Sequence, residues 1–126
     1  MATDQPKEER FEEVFLRLKS LMEPLEKQLS VKIDEPGNYY LNTHTVREDG
    51  YVYAFGGVQV KKNYVSYHLM PVYAQPELLD DVSDTLKKRM QGKACFNFTK
   101  IDKELFAELA ELTQQSFGAF KQKGIV

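Results

Sequence analysis

The chain has 126 residues, of which 42% are hydrophobic and 29% are charged, and its net charge is −2. This size and composition are typical of one globular domain and exclude long disorder or collagen-like repeats. The charge gives no general attraction to nucleic acid, and no window holds the roughly 20 apolar residues of a membrane span. Residues 1–10 lack a signal peptide's apolar run, and the single cysteine cannot form an internal disulfide. We therefore expect a cytoplasmic protein that binds neither nucleic acid nor membranes.

The first predicted element is an amino-terminal helix that follows a loose tail over residues 1–5. Pro6 suits the first turn of a helix, and apolar residues then recur every three or four positions. This stripe contains Phe11, Val14, Phe15, Leu18, Leu21, Met22, Leu25 and Leu29. Because Pro24 interrupts the backbone hydrogen bonds of a helix, we expect a kink or a short restart there.

Four strands are predicted next, over residues 31–34, 39–46, 51–60 and 64–70. Turn-forming residues separate these runs, and the turn at 48–50 is a strong hairpin signal. Strands joined by such short turns pair antiparallel. Two adjacent glycines inside the third run, Gly56 and Gly57, predict a bulge or a bend.

The carboxy-terminal part of the chain is predicted to contain two short helical segments, a fifth strand and a final helix. Pro71 ends the strand run, residues 76–81 form one helical turn, and Ser83 caps a short helix. Residues 93–99 form a fifth strand, and Asp102 caps a final helix. The buried stripe of that helix contains Leu105, Leu109, Leu112, Phe117 and Phe120. Each long helix has a single apolar stripe, so we expect an α+β fold with both long helices on one face of the sheet.

Side-chain alternation along the strands predicts which residues occupy the other, open face of the sheet. Within residues 51–60, the even-numbered residues have small or β-branched side chains, which suit packing beneath the helices. The residues that would face the opposite way in this strand and in the next are Tyr51, Tyr53, Phe55, Tyr64, Ser66, His68 and Met70. So many rings indicate a ligand groove, a partner surface such as a homodimer interface, or a face covered by residues 72–82. A one-residue bulge would exchange the two faces.

Two segments of the second half carry a resemblance to a known family. They are KKNYVSYHLMP over residues 61–71 and LKKRMQGKACFNF over residues 86–98. Together they resemble the YdhG-like domains of unknown function, small bacterial proteins with a frataxin-like α+β shape. The resemblance covers residues 60–124 and implies that fold. Because some relatives are thought to act as iron chaperones, it also suggests an iron carrier.

Basic residues near the turns and on the short helix indicate an anion-binding rim beside the open face, with Tyr64 as a hydrogen-bond donor. They are Lys61, Lys62, Lys87, Lys88, Arg89 and Lys93. Lys93 is the strongest single candidate, because it follows Gly92, where a ligand can approach the backbone closely. The alternative interpretation is a set of solvated surface charges.

Two further kinds of chemistry have candidate residues. Glu8, Glu12 and Glu13 gather carboxylates on the first helix, as an iron carrier would need, although a solvated helix face is the alternative. His68 is a candidate acid or base for an enzyme, and Cys95 would pair with it if both share a face of the sheet.

The hypothesis that we favour from the sequence is a non-enzymatic binding module without a resident cofactor. It would use the aromatic open face and its basic rim, including Lys61, Lys62, Lys88 and Lys93, for a small anionic ligand or a protein partner. The iron carrier is the alternative, and an enzyme that uses His68 is a weaker one.

Overall fold

The computed structural model describes residues 6–126, so the predicted tail at 1–5 lies outside the described part of the chain. Helix α1 spans Lys7–Met22, and a 3₁₀ helix over Glu23–Gln28 follows it directly. Pro24 has no N–H to donate, so the α-helical hydrogen bonds stop and the chain restarts in the tighter helix. This confirms the predicted restart, and the stripe is buried except at half-buried Leu21.

Five strands form one antiparallel sheet, as the sequence predicts. They are β1 Ser30–Glu35, β2 Asn38–Val46, β3 Val52–Val60, β4 Val65–Leu69 and β5 Cys95–Phe98. Their order in space is their order in the chain, which makes the sheet a meander with β1 and β5 at its edges. Gly50, in the β2–β3 turn, has a φ of 89°, a conformation that glycine adopts without steric cost.

Three further helices complete the fold, together with a 3₁₀ turn over Pro76–Leu79. They are α2 Met70–Ala74, α3 Asp84–Lys87 and α4 Lys103–Gln122. Ser83 and Asp102 cap α3 and α4 as predicted, each accepting a 3.1 Å bond from a backbone N–H. Helix α2 was not predicted; Pro71 does end the strand, but in the first turn of a helix, where its missing N–H costs nothing. No helix within residues 6–126 is both long and apolar enough to cross a bilayer.

Both long helices pack on the same face of the sheet, which confirms the predicted α+β architecture. The buried Tyr67 hydroxyl of β4 lies 2.6 Å from the Thr113 hydroxyl of α4. The α1 residue Met22 lies against the backbone of β3 at Gly56. Residues 70–79 pack against α4, and Val72 is fully buried, so this segment closes the helical layer rather than covering the open face.

A β-bulge in β3 changes which residues reach the open face. Leu41 pairs with Gly56 while Asn42 pairs with Ala54, so Phe55 is an extra residue in the ladder. Phe55 is therefore buried among the rings of α4, and its assignment to the open face was wrong. The exchange of faces that a bulge produces is the physical reason.

The two adjacent glycines of β3 allow close approaches on both faces of the sheet. A Cβ at Gly56 would overlap the carbonyl oxygen of His68 and approach Met22 on the helical side. A Cβ at Gly57 would overlap the Tyr40 ring on the open side and lie 2.5 Å from a β2 carbonyl oxygen. The predicted bulge is found one residue before this pair, at Phe55, and the glycines themselves are explained by the close approach of neighbouring groups on both faces.

Truncation of the α4 stripe should strongly destabilise the fold. Leu109 is fully buried, so Leu109→Ala should lower the free energy of unfolding by about 2–5 kcal/mol. Leu16 is 52% exposed, and Leu16→Ala should cost no more than about 0.5 kcal/mol. Urea denaturation followed by circular dichroism measures both; a loss at position 109 no larger than at position 16 would contradict the packing.

Glycine should be required at position 57 for reasons of space alone. Gly57→Ala should lower the free energy of unfolding by about 1–3 kcal/mol, because strand β2 must shift to admit a methyl group. Gly118 lies in α4 with open space beside it, and Gly118→Ala should raise stability by about 1 kcal/mol through helix propensity. The same urea experiment compares them, and equal effects would show that the close approach is absent.

Candidate functional site

A cleft of about 340 Å³, lined mainly by residues with polar side chains, lies on the open face of the sheet over β4 and β5. Val65, Tyr67 and Leu69 of β4 are fully buried beneath the helices, so the residues between them point the opposite way. The cleft is lined by Tyr40, Gly57, Gln59, Lys61, Tyr64, Ser66, His68, Gln91, Cys95 and Asn97.

A histidine and the only cysteine of the chain meet in this cleft. His68 and Cys95 are directly opposite each other in the β4–β5 ladder. The Nδ1 atom of His68 lies 3.1 Å from Sγ of Cys95, within hydrogen-bonding reach. The pair that the sequence allowed only if both residues share a face is therefore present.

The surroundings of His68 favour its neutral form. Its ring stacks with that of Tyr40 at a centroid distance of 6.3 Å and an interplanar angle of 26°. Burial lowers the pKa of His68, and burial also raises the pKa of Tyr40, with smaller contributions from Tyr51 and Cys95. A neutral imidazole next to a thiol is able to accept its proton.

A short hairpin adds polar side chains at the edge of β5. The Gln91 N–H donates to the carbonyl oxygen of Cys95 at 3.0 Å, and Gly92 allows the turn between them with a φ of 81°. The Asn97 amide nitrogen donates to Oε1 of Gln91 at 2.7 Å, whereas its Oδ1 atom is buried without a hydrogen-bond partner. This acceptor lacks a hydrogen bond, and a ligand donor would supply one if the Asn97 side chain turned its Oδ1 atom toward the cleft.

The sequence-based selection missed Tyr40, Gln91 and Asn97. Asn97 lies two residues after Cys95 in the fifth strand, so the alternation of side chains would have predicted that both face the cleft. Gln91 and Tyr40 depend on the hairpin and on the β2–β3 register, which no local pattern in the chain reveals.

The predicted basic rim is only partly assembled. Lys61 and Tyr64 line the cleft together with Ser66 and His68. A second cleft, on the other side of the sheet, is lined by Lys62 and also by Lys61. Lys88 is exposed at the end of α3, outside the cleft lining.

Two further predicted binding residues also lie outside the cleft lining. Lys93 is in the turn after Gly92, but its Nζ atom lies over the Tyr73 ring, 5.9 Å from its centroid. Tyr53 lies beside the β2–β3 turn and packs edge-on against Tyr51, with ring centroids 5.5 Å apart.

The acidic residues of α1 lie near the second cleft, which has a volume of about 830 Å³. Glu8 and Glu12 line it together with Lys7 and Lys19, so the charge there is mixed; Glu13 is not part of this lining. Within residues 6–126, no three His, Cys, Asp or Glu side chains are grouped so that they could hold a metal ion. The iron-carrier hypothesis stays a prediction.

The burial of His68 should be visible in its titration. We expect its pKa, followed by NMR of the ring protons, to lie below that of histidine in a short peptide, with His44→Gln assigning the signals. The unfolded chain then binds the proton more readily, so stability should decrease as pH falls through the unfolded value of about 6.5. His68→Gln should remove this part of the pH dependence, and a pKa at or above the peptide value would contradict the burial.

In comparisons with known proteins, the sequence matches no family model, and neither a curated protein nor a solved structure matches it. The resemblance to YdhG-like domains therefore stays a prediction, and the candidate site is defined by its own geometry.

Proposed function

We propose that the protein is a small-molecule binding module and that the cleft over β4 and β5 takes a small anionic ligand. One observation carries this proposal: a buried acceptor, Oδ1 of Asn97, has no partner in a cleft that Lys61 also lines. These two groups favour different chemical features in a ligand. The acceptor needs an N–H or O–H donor, and the ammonium group needs negative charge.

The energetic case rests on the cost of the unpaired acceptor. A buried polar atom without a hydrogen bond costs about 1–3 kcal/mol, which a ligand donor at Asn97 would recover. Lys61 is exposed, so its attraction for an anion in water is modest and would strengthen as a ligand excludes solvent. A volume of about 340 Å³ is at the lower end of the usual range for ligand sites, which favours a small molecule.

A small ligand is favoured over a protein partner by the burial of Phe55. The partner hypothesis depended on a broad aromatic patch, but Phe55 belongs to the core and Tyr53 packs beside a turn. The rings of Tyr40 and Tyr64 remain at the cleft, where they form walls of a concave site rather than a flat surface.

Titration of ¹⁵N-labelled protein with acetate, benzoate and inorganic phosphate tests this proposal. We expect saturable chemical-shift changes at the amides of Ser66, Cys95 and Asn97 with at least one of these anions. Lys61→Gln should weaken binding about tenfold, the usual effect of losing one charge-assisted hydrogen bond. Its neighbour provides a matched control: Lys61 lines both clefts, whereas Lys62 lines the second cleft alone, so Lys62→Gln should leave the affinity unchanged.

Two results would contradict the proposal. One is the absence of saturable shifts around the cleft with all three anions. The other is an equal loss of affinity in Lys61→Gln and Lys62→Gln, which would show either binding in the second cleft, which both residues line, or a diffuse effect of net charge.

A further inference from the structure

We propose that Cys95 is a nucleophile that accepts an acyl group from a small activated acyl compound, with His68 as proton acceptor and Gln91 as the donor to the oxyanion. This goes beyond reversible binding. It uses the same cleft as the place where the substrate lies, but it does not require an anionic substrate.

The three residues lie side by side across neighbouring strands. His68 is opposite Cys95 on the β4 side, with Nδ1 3.1 Å from Sγ. Gln91 is on the other side of Cys95, since its N–H donates to the Cys95 carbonyl oxygen at 3.0 Å. All three residues line one cleft, which is where the substrate would lie.

The hydrogen bonds already present assign the roles of the flanking groups. Nδ1 of His68 is 3.1 Å from Sγ, so it is the nitrogen placed to take the thiol proton, and burial, which lowers the pKa of His68, favours the neutral imidazole that this role needs. Oε1 of Gln91 accepts from the Asn97 amide at 2.7 Å, which leaves the Nε2 end of Gln91 as the donor. A side-chain amide that donates to the carbonyl oxygen of a bound substrate stabilises the negative charge that forms there when the carbonyl is attacked.

The reaction with an ester can be written with all atoms accounted for. The Cys95 thiol gives its proton to Nδ1 of His68 as Sγ bonds to the carbonyl carbon. The carbonyl oxygen becomes an anion, to which Gln91 donates. When the carbonyl reforms, the carbon–oxygen bond of the ester breaks and the alcohol leaves with the electron pair and the proton held by His68. The product is a thioester on Cys95, and no oxidant or reductant is needed.

Two reagents of different chemistry test the proposal on the intact chain. 4-Nitrophenyl acetate reports acylation through release of nitrophenolate, and iodoacetamide reports alkylation, which forms no oxyanion. Cys95 is the only cysteine, so one label per chain identifies the site by mass spectrometry. We expect the folded chain to react faster with both reagents than the same chain unfolded in urea, and Cys95→Ser to abolish labelling.

The variants separate the two flanking groups. His68→Gln should slow both reactions by at least about tenfold, whereas the exposed His44 provides the control His44→Gln without effect. Gln91→Ala should slow acylation about tenfold or more and leave alkylation unchanged. In His68→Ala, added imidazole should restore part of the rate at which iodoacetamide labels Cys95, measured by mass spectrometry, and it should not do so for the same variant unfolded in urea.

Several outcomes would overturn the inference. Cys95 would not be a nucleophile if the folded chain reacted no faster than the unfolded chain, or if His68→Gln left both rates unchanged. Equal slowing of both reagents by Gln91→Ala would remove the oxyanion role. Because iodoacetamide is neutral, its result is independent of the anion preference proposed above, and the two proposals can fail separately.

Discussion

The packing of α1 and α4 on a single face of the sheet is the constraint on which the rest of the structure depends. It draws Tyr67 and Leu69 of β4 and Phe96 of β5 into the core, where each is fully buried. Because side chains alternate along a strand, the residues between them must face the opposite side. His68 and Cys95 thus come together through the demands of the core and the β4–β5 register, and their contact needs no long-range attraction of its own.

Much of this architecture could be predicted because its signals are local. Apolar residues recur every three or four positions along the long helices. Ser83 and Asp102 mark the start of the helices that they cap. The burial of Phe55 could not be predicted in the same way. It follows from a bulge at Phe55 in the pairing of β2 with β3, and the register of two strands is a property of their pairing that no local pattern in β3 specifies.

The candidate site shows the same limit. Ser66 and His68 followed from alternation in β4, and Cys95 was recognised as their conditional neighbour. Lys93 was placed at the site because of its glycine neighbour, but the turn directs its ammonium group toward a ring of α2. The direction of a side chain within a turn depends on several backbone angles at once, and the presence of a neighbouring glycine does not specify those angles. The long side chain of Lys88 likewise takes its position from how α3 packs.

The two-sided character of β4 and β5 also has a consequence for how this protein can evolve. Substitutions at Ser66 or Asn97 change the chemistry of the cleft without altering the volume of the core beneath it. Ligand preference can therefore drift among descendants while the fold persists. Gly57 is different, since its bare backbone belongs to the cleft and to the packing of the sheet at once. Selection should hold that position fixed while the neighbouring cleft residues diversify.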